Sequence, residues 1–272
     1  MDPLWLAGSI FLLTYAFIVS EKIHRTISAL LGGLAMILFV LPQEQAFHSI
    51  DWNVIFLLAG MMIIANVLKE TGVFQWIALK AVRLGKGDPF RVLILLSLIT
   101  AVSSALLDNV TTVILIAPVT LFVASTLRVS PIPFLIAEIL ASNIGGMATL
   151  IGDPPNILIG SAANIDFVSF LVNMGPISLI ILLAFLGLAR FLFKKELTVQ
   201  DQSSVDIAGI DTSALITDPI LLRKSLIITT AVILGFLLHS ALHLEPATIA
   251  LTGATLLMLW SKTDPHHALR DI

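Results

Sequence analysis

The segment ASNIGGMATLIGDPPNILIG, Ala141–Gly160, interrupts an apolar region with four glycines, two consecutive prolines, two asparagines and an aspartate, Asp153. Glycine lets the backbone approach a ligand closely, and proline at the start of a helix loses no hydrogen bond. We therefore predict a broken transmembrane helix over 133–159, with half-helices at Pro133–Met147 and from Pro155 onward. Unwound backbone at membrane depth is tolerated only where it is buried in protein or lines a cavity, and its carbonyl groups can coordinate a cation.

The composition is that of a membrane protein. Of the 272 residues, 57% are hydrophobic and 12% are charged, whereas a soluble domain has about a quarter charged residues. The chain has no cysteine, which excludes disulfides and thiolate metal sites, and no basic patch suggests nucleic acid. We predict an all-α polytopic membrane protein in the lipid bilayer. The predicted crossings are Leu4–Val19, Ile27–Leu41, Asn53–Leu68, Pro133–Ile159 (broken), Phe167–Phe193, Ser225–Leu242 and Pro246–Trp260.

The positive charges predict the orientation of the chain. All 15 Lys and Arg residues fall on one side of the predicted crossings, and the loops 42–52, 161–166 and 243–245 contain none. By the positive-inside rule the N-terminus is outside and the C-terminus of this chain is cytoplasmic, in the plasma (inner) membrane. Val73–Leu84, where Lys and Arg interrupt an apolar run beside Trp76, is predicted to lie in the cytoplasmic interface.

Residues 92–127 have the polar sequence LLDNVTT at their midpoint. Each half, Val92–Leu106 and Val110–Leu127, is shorter than the ~20 residues of a full crossing. We therefore favour a re-entrant helical hairpin, although the charge argument also allows two crossings. At the tip, Asp108 and Asn109 stand where a helix N-cap belongs, followed by the hydroxyls of Thr111 and Thr112.

Three acids lie inside apolar segments without a Lys or Arg beside them: Asp108, Glu138 and Asp153. Glu138 shares one helical face with Ser142, Gly145 and Thr149. A carboxylate at mid-membrane costs roughly 2.5–3.5 kcal/mol, so unpaired acids indicate proton or cation handling. Helix capping by the aspartates and snorkelling of Glu138 to the interface are the structural alternatives.

A weak internal repeat appears when the chain is shifted by 222 positions, so that Thr26 aligns with Thr248 and Met36 with Met258. The two copies enter the membrane from opposite sides, which indicates inverted-topology repeats. The predicted domains are residues 1–193 as the first repeat, 194–224 as a cytoplasmic linker and 225–272 as the start of the second. We expect the chain to lack most of that second repeat.

The sequences LLDNVTTVILIAPVT and EILASNIGGMATLIGDPPNILIG resemble the ion transporter superfamily. This superfamily includes the arsenite permeases, the P protein, a type of sodium/proton antiporter, and the dicarboxylate and citrate transporters. The resemblance covers residues 52–193 and leans towards the arsenite-permease and P-protein branch, because the tip reads Asp-Asn-Val-Thr where dicarboxylate transporters typically have Ser-Asn-Thr.

The resemblance implies an inverted-repeat transporter fold, an elevator-like movement, a homodimer, and a substrate and ion site where the hairpin meets the unwound helix. With Glu138 added from the residue pattern, the predicted substrate- and ion-binding residues are Asp108, Asn109, Thr111, Thr112, Glu138, Asn143, Gly145, Gly146, Thr149, Gly152, Asp153, Pro154, Pro155 and Asn156. A sodium ion would lie near Asn109 and Asp153, and no other cofactor is expected.

These features predict a secondary active transporter, not an enzyme. It would move a small inorganic or organic ion or solute, such as arsenite, sodium or citrate, coupled to H+ or Na+. An ion channel with the same re-entrant elements and a non-functional fragment of a longer permease are the alternatives. An intramembrane aspartyl protease would use Asp108 and Asp153, but no protease motif surrounds them.

Overall fold

A computed structural model describes residues 3–197 and 215–268, and within these ranges the chain is helical without a β-strand. Six helices of this part are long and apolar enough to cross a membrane. The prediction of an all-α polytopic membrane protein is confirmed. The helices are α1 (Pro3–Ser20), α2 (Arg25–Phe39), α3 (Gln43–His48), α4 (Trp52–Glu70), α5 (Val73–Leu84), α6 (Pro89–Leu106), α7 (Asn109–Leu127), α8 (Ile132–Gly146), α9 (Pro154–Ala163), α10 (Phe167–Leu192), α11 (Pro219–Leu242), α12 (Pro246–Ser261) and α13 (Pro265–Ala268).

The chain forms two compact units, residues 1–52 and 53–272. In the first unit α1 packs against α2, and the short α3 follows. The contact between α1 and α2 is close at Gly32, because a Cβ atom there would collide with the side chain of Thr14. A small residue at this position therefore allows the two helices to approach each other.

In the second unit α4 is part of a core that also includes residues of α10, α11 and α12. Ile64 and Val67 of α4 are fully buried, as are Phe236 of α11 and Leu257 of α12. A Cβ atom on Gly60 would lie 2.7 Å from the carbonyl carbon of Ala250. The small residues at this crossing let the backbones of α4 and α12 approach each other.

The predicted amphipathic segment forms α5. Its apolar face packs against α6 and α7, and Lys80 Nζ lies 3.9 Å from the ring centroid of Trp76. The helix itself has the predicted bounds, Val73–Leu84. Its position in the membrane interface stays a prediction.

The tip sequence separates α6 from α7 as predicted, but both helices are longer than the sequence analysis assumed. Asp88 caps α6 and Pro89 opens it, so that α6 has 18 residues, while α7 has 19. Both have the length and composition of a crossing. The length argument against two full crossings is therefore lost, and the re-entrant hairpin stays a prediction.

The break in the fourth predicted crossing lies where the glycines and prolines indicate it. Helix α8 ends at Gly146, the backbone is irregular over residues 147–153, and α9 begins at Pro154. Helix α11 begins at Pro219, six residues before the predicted Ser225, because Asp218 accepts hydrogen bonds from the first amides of the helix. Most of the predicted cytoplasmic linker, residues 198–214, lies outside the described residues.

The helix bounds follow the predicted repeat. When the chain is shifted by 222 positions, Ser20, the last residue of α1, aligns with Leu242, the last residue of α11. Phe39, the last residue of α2, aligns in the same way with Ser261, the last residue of α12. The turn between the helices also coincides, since Glu21 and His243 have left-handed φ values of 53° and 52°. The opposite membrane orientation of the two copies stays a prediction.

Candidate functional site

The candidate site forms where the α6–α7 tip, residues 107–112, meets the break, residues 147–153. Helices α6 and α8 run side by side and lead to these two segments. They are in close contact at Gly145, where a Cβ atom would collide with the backbone carbonyl of Ala101. Glycine is therefore needed at position 145 for this approach.

Side-chain hydrogen bonds connect the end of α6 to α8 and to the break. Ser104 Oγ donates to the carbonyl oxygen of Ser142 at 2.7 Å, and Thr149 Oγ1 donates to that of Ala105 at 2.6 Å. These hydroxyls satisfy backbone carbonyl groups at the two helix ends, which would be costly to leave unpaired in the membrane. The end of α6, next to the tip, is thus joined by direct hydrogen bonds to α8 and to the break.

The unwound segment is organised by Asn156, in the first turn of α9. Its Nδ2 donates to the carbonyl oxygens of Gly146 at 3.1 Å and Thr149 at 2.9 Å. A Cβ atom on Gly152 would lie 2.5 Å from the Gly146 oxygen and 2.7 Å from that of Ser104. The glycines therefore allow these backbone segments to come into contact. The sequence analysis expected carbonyl groups of the break to coordinate a cation, but two of them already accept hydrogen bonds from Asn156.

At the tip, Asp108 caps α7. Its Oδ1 accepts from the backbone N–H of Thr111 at 2.8 Å, and the Thr112 hydroxyl donates to the Asp108 carbonyl oxygen at 2.9 Å. Asn109 Nδ2 donates to Asn143 Oδ1 at 3.2 Å, which joins the tip to the last turn of α8. Asp108 therefore does cap α7, and it uses Oδ1 of its carboxyl group to do so.

Asp153 is different, because it precedes α9 but its side chain makes no capping hydrogen bond. Its carboxyl group lies close enough to that of Asp108 for the two charges to repel. Neither aspartate is paired with a Lys or Arg in the described part of the chain. Two neighbouring carboxylates without a basic partner form a site that a proton or a cation would stabilise.

Glu138 does not belong to this cluster. It lies seven residues before Gly145 on α8, about 10 Å along the helix axis, and its side chain is 1% exposed. Its Oε1 accepts a hydrogen bond from the Thr120 hydroxyl of α7. The snorkelling alternative is therefore wrong, because the carboxyl group is enclosed between helices.

A cavity of about 290 Å³ lies beside the break. Its lining includes Leu150 of the break and Ile157 of α9, and it reaches the loops 161–166 and 243–245, which contain no Lys or Arg. Hydrogen bonds from the Ser169 hydroxyl and backbone lower the pKa of Asp166 in the first of these loops. Polar residues of the lining include Asn164, Asp166, His239 and Glu245.

The structure thus brings the predicted site residues together at the tip and the break, with the exception of Glu138. The sequence analysis missed Ser104, the carbonyl of Ala105 and Ser178, which donates to the carbonyl of Ile144. The run of small residues AVSSA before the tip was the available signal, since such residues mark close helix contacts. Among the described residues no three His, Asp or Glu side chains group together as a metal site would require.

The long apolar helices, the break and the two unpaired acids define an integral membrane protein with a polar site at the contact of two interrupted helical segments. Residues 15–272 match the citrate transporter family, whose model carries the description CitMHS. Because the match includes nearly the whole chain, the protein belongs to this family.

Its relatives include bacterial and animal membrane proteins. The chain is 42% identical to the "46 kDa membrane protein" of Mycobacterium leprae over 98% of its own length and 63% of that protein. It is 43% identical to an uncharacterized transporter of Mycobacterium tuberculosis over 94% of its length and 60% of the relative. The human P protein is 41% identical over 69% of the chain and 24% of the P protein. The chain thus spans about 60% of the bacterial relatives.

Proposed function

We propose that the protein is a secondary active transporter that moves a small inorganic or organic ion or solute, coupled to protons or sodium. The main observation is the pair of acids Asp108 and Asp153, which lie close enough for their charges to repel and have no basic partner in the described part of the chain. The match to the citrate transporter family and the transporter names of the mycobacterial relatives support the general class.

The negative charge of the site favours a positively charged coupling ion. Two neighbouring carboxylates in a low-dielectric environment repel each other, and binding of H+ or Na+ removes that repulsion. The coupling ion would therefore bind between Asp108 and Asp153, with the side-chain oxygens of Asn109 and Thr111 nearby. The cavity beside the break reaches the loops without Lys and Arg, and the positive-inside rule would therefore place its mouth outside.

The substrate is proposed only as a class. The acids favour a neutral or cationic solute such as arsenite or sodium, whereas the N-terminal end of α9 at Pro154 and Pro155 could bind an anion such as citrate through its backbone. The substrate would contact Asn143 and the backbone of the break. The proposed setting is the plasma (inner) membrane with the N-terminus outside, and the proposed assembly is a homodimer.

The test is transport by the purified protein in proteoliposomes, with arsenite, sodium, citrate and succinate offered under imposed proton and sodium gradients. Asp108→Asn is the decisive variant. Asn is as good an N-cap as Asp, so we expect the variant to stay folded while gradient-driven uptake is lost.

Asp88→Asn is the matched control. Asp88 caps α6 with the same kind of hydrogen bonds, to the amides of Phe90 and Arg91, but lies away from the site. It should transport as the wild type does. Full gradient-driven uptake in Asp108→Asn would contradict the assigned role, and an ohmic current without coupled ion movement would favour a channel.

A further inference from the structure

We propose that Glu138 is a proton-binding site separate from the site at the tip and the break. Glu138 is the only acidic residue among the fully buried side chains of the described chain. It lies where α8 meets α6 and α7, and the aspartates at the tip and the break make no contact with it. A buried carboxyl group that the main site does not use requires its own explanation.

The hydrogen bonds of Glu138 indicate a carboxyl group with one oxygen occupied. Oε1 accepts from the Thr120 hydroxyl, whereas Oε2 is fully buried and has no hydrogen-bond partner in the described residues. The hydroxyl of Ser97 on α6 is also buried without a partner. Ser97 lies one turn before Ala101, which touches Gly145, so Ser97 is on the side of α6 that packs against α8.

Charged groups are absent from the surroundings of Glu138 in the described structure. The helices packed against α8 are α6, α7 and α10. Their only charged residues are Arg91 of α6 and Arg190 of α10, and α7 has none. Arg91 pairs with Asp88 at 3.6 Å, and the Arg190 guanidinium lies over the Phe90 ring. Both are engaged at helix ends.

A carboxylate in this position would be buried without a counter-ion, which is far less stable than the neutral acid. The protonated form adds one O–H donor to the group. A buried neutral Oε2–H without a partner also costs much less than a buried carboxylate oxygen without one. A metal cation is a poor alternative, because it requires several oxygen ligands and, among the described residues, the Thr120 hydroxyl is the one group hydrogen-bonded to the carboxyl group.

Release of the proton requires local opening. Pro118 interrupts the hydrogen bonding of α7 two residues before Thr120, and proline within a helix removes a backbone hydrogen bond and favours bending. A bend of α7 there would separate Thr120 from Glu138 and admit water. The O–H bond of Glu138 would then break, leaving a carboxylate, and the proton would pass to water. The proton-binding role of Glu138 is independent of the proposed function. A role of this proton in driving transport rests on the proposed function.

Infrared difference spectroscopy on the reconstituted protein tests the protonation directly. A step from neutral to alkaline pH should show loss of a carboxylic-acid C=O band in the wild type. The band should be absent in Glu138→Gln and retained in Asp108→Asn and Asp153→Asn. Thr120→Val should shift its frequency, because one hydrogen bond to the C=O group is lost. Absence of the band in the wild type, or its persistence in Glu138→Gln, would overturn the proposal.

A transport measurement tests whether the proton on Glu138 is coupled to uptake, which is a separate question from whether Glu138 binds a proton. With citrate as the probe, uptake by Glu138→Gln should no longer respond to an imposed proton gradient, whereas Glu196→Gln, an exposed glutamate after α10, should respond as the wild type does. A full response in Glu138→Gln would disprove coupling through this residue. If the wild type does not carry citrate, citrate is removed from the proposed substrates, and the infrared result still decides whether Glu138 binds the proton.

Discussion

At the residue scale, Asn156 shows how a polar side chain in this membrane protein can serve the backbone. The sequence analysis assigned it to the ligand site through the resemblance of the unwound segment to the transporter superfamily. In the structure its amide group donates to the carbonyl oxygens of Gly146 and Thr149 on both sides of the break. The sequence could predict that Asn156 belongs to the site, but not that it bonds to the backbone of the break. The path of the unwound chain determines which carbonyl groups its amide reaches.

We predict that Asn156→Asp destabilises the protein and abolishes transport. The aspartate keeps the shape of the side chain but replaces the donating amide with an oxygen, which would face two carbonyl oxygens. Loss of a buried hydrogen-bonded group costs about 1–3 kcal/mol. Thermal unfolding in detergent measures the change.

Asn164→Asp is its control, because Asn164 is exposed in the loop after α9. Its unfolding temperature should remain near that of the wild type. An Asn156→Asp variant with wild-type stability would show that the two hydrogen bonds do not hold the break.

At the element scale, the contact between α6 and α8 determines the geometry of the site. The sequence located the break, because Gly and Pro act on the backbone locally and their positions can be read directly from the sequence. It did not identify α6 as the partner, since the register of two helices depends on contacts between residues about 40 positions apart. The length of α6 was also underestimated, because the Asp88 cap was not recognised.

We predict that Gly145→Ala separates α6 from α8 and lowers stability. The added methyl group would meet the backbone of Ala101, which cannot rotate away as a side chain can. Overpacking of this kind costs about 1–3 kcal/mol, and we expect loss of transport together with a lower unfolding temperature.

Gly187→Ala is the matched control, since a Cβ atom at Gly187 of α10 would have no atom within 4 Å outside its own helix. This variant should be as stable as the wild type or slightly more stable, because Ala favours helix more than Gly does. Equal effects of the two substitutions would show that the contact at position 145 is not special.

At the scale of the whole molecule, the sequence predicted the all-helical membrane class because hydrophobic segments are properties of long stretches, while the orientation and the inverted repeat stay predictions. The shift of 222 positions aligns the ends of α1 and α2 with those of α11 and α12. Helices α6 and α7 have 18 and 19 residues, a length that suits either a crossing or a hairpin within the protein.

Cysteine labelling tests the topology without prior removal of native thiols, since the chain has none. Asn164→Cys should react with a membrane-impermeant maleimide added outside, and Lys86→Cys only after the membrane is opened. Val110→Cys, on the exposed side of the tip, should be protected if the hairpin is re-entrant. Labelling of Val110→Cys as fast as Asn164→Cys would indicate two full crossings.

The bonds from Ser104 and Thr149 have a consequence for how a bound solute leaves. In the proposed transporter they join the end of α6, next to the tip, to α8 and to the break, so these two surfaces cannot part to release a solute without breaking their hydrogen bonds. Exit must instead involve displacement of both surfaces together, or withdrawal of whatever protein faces them.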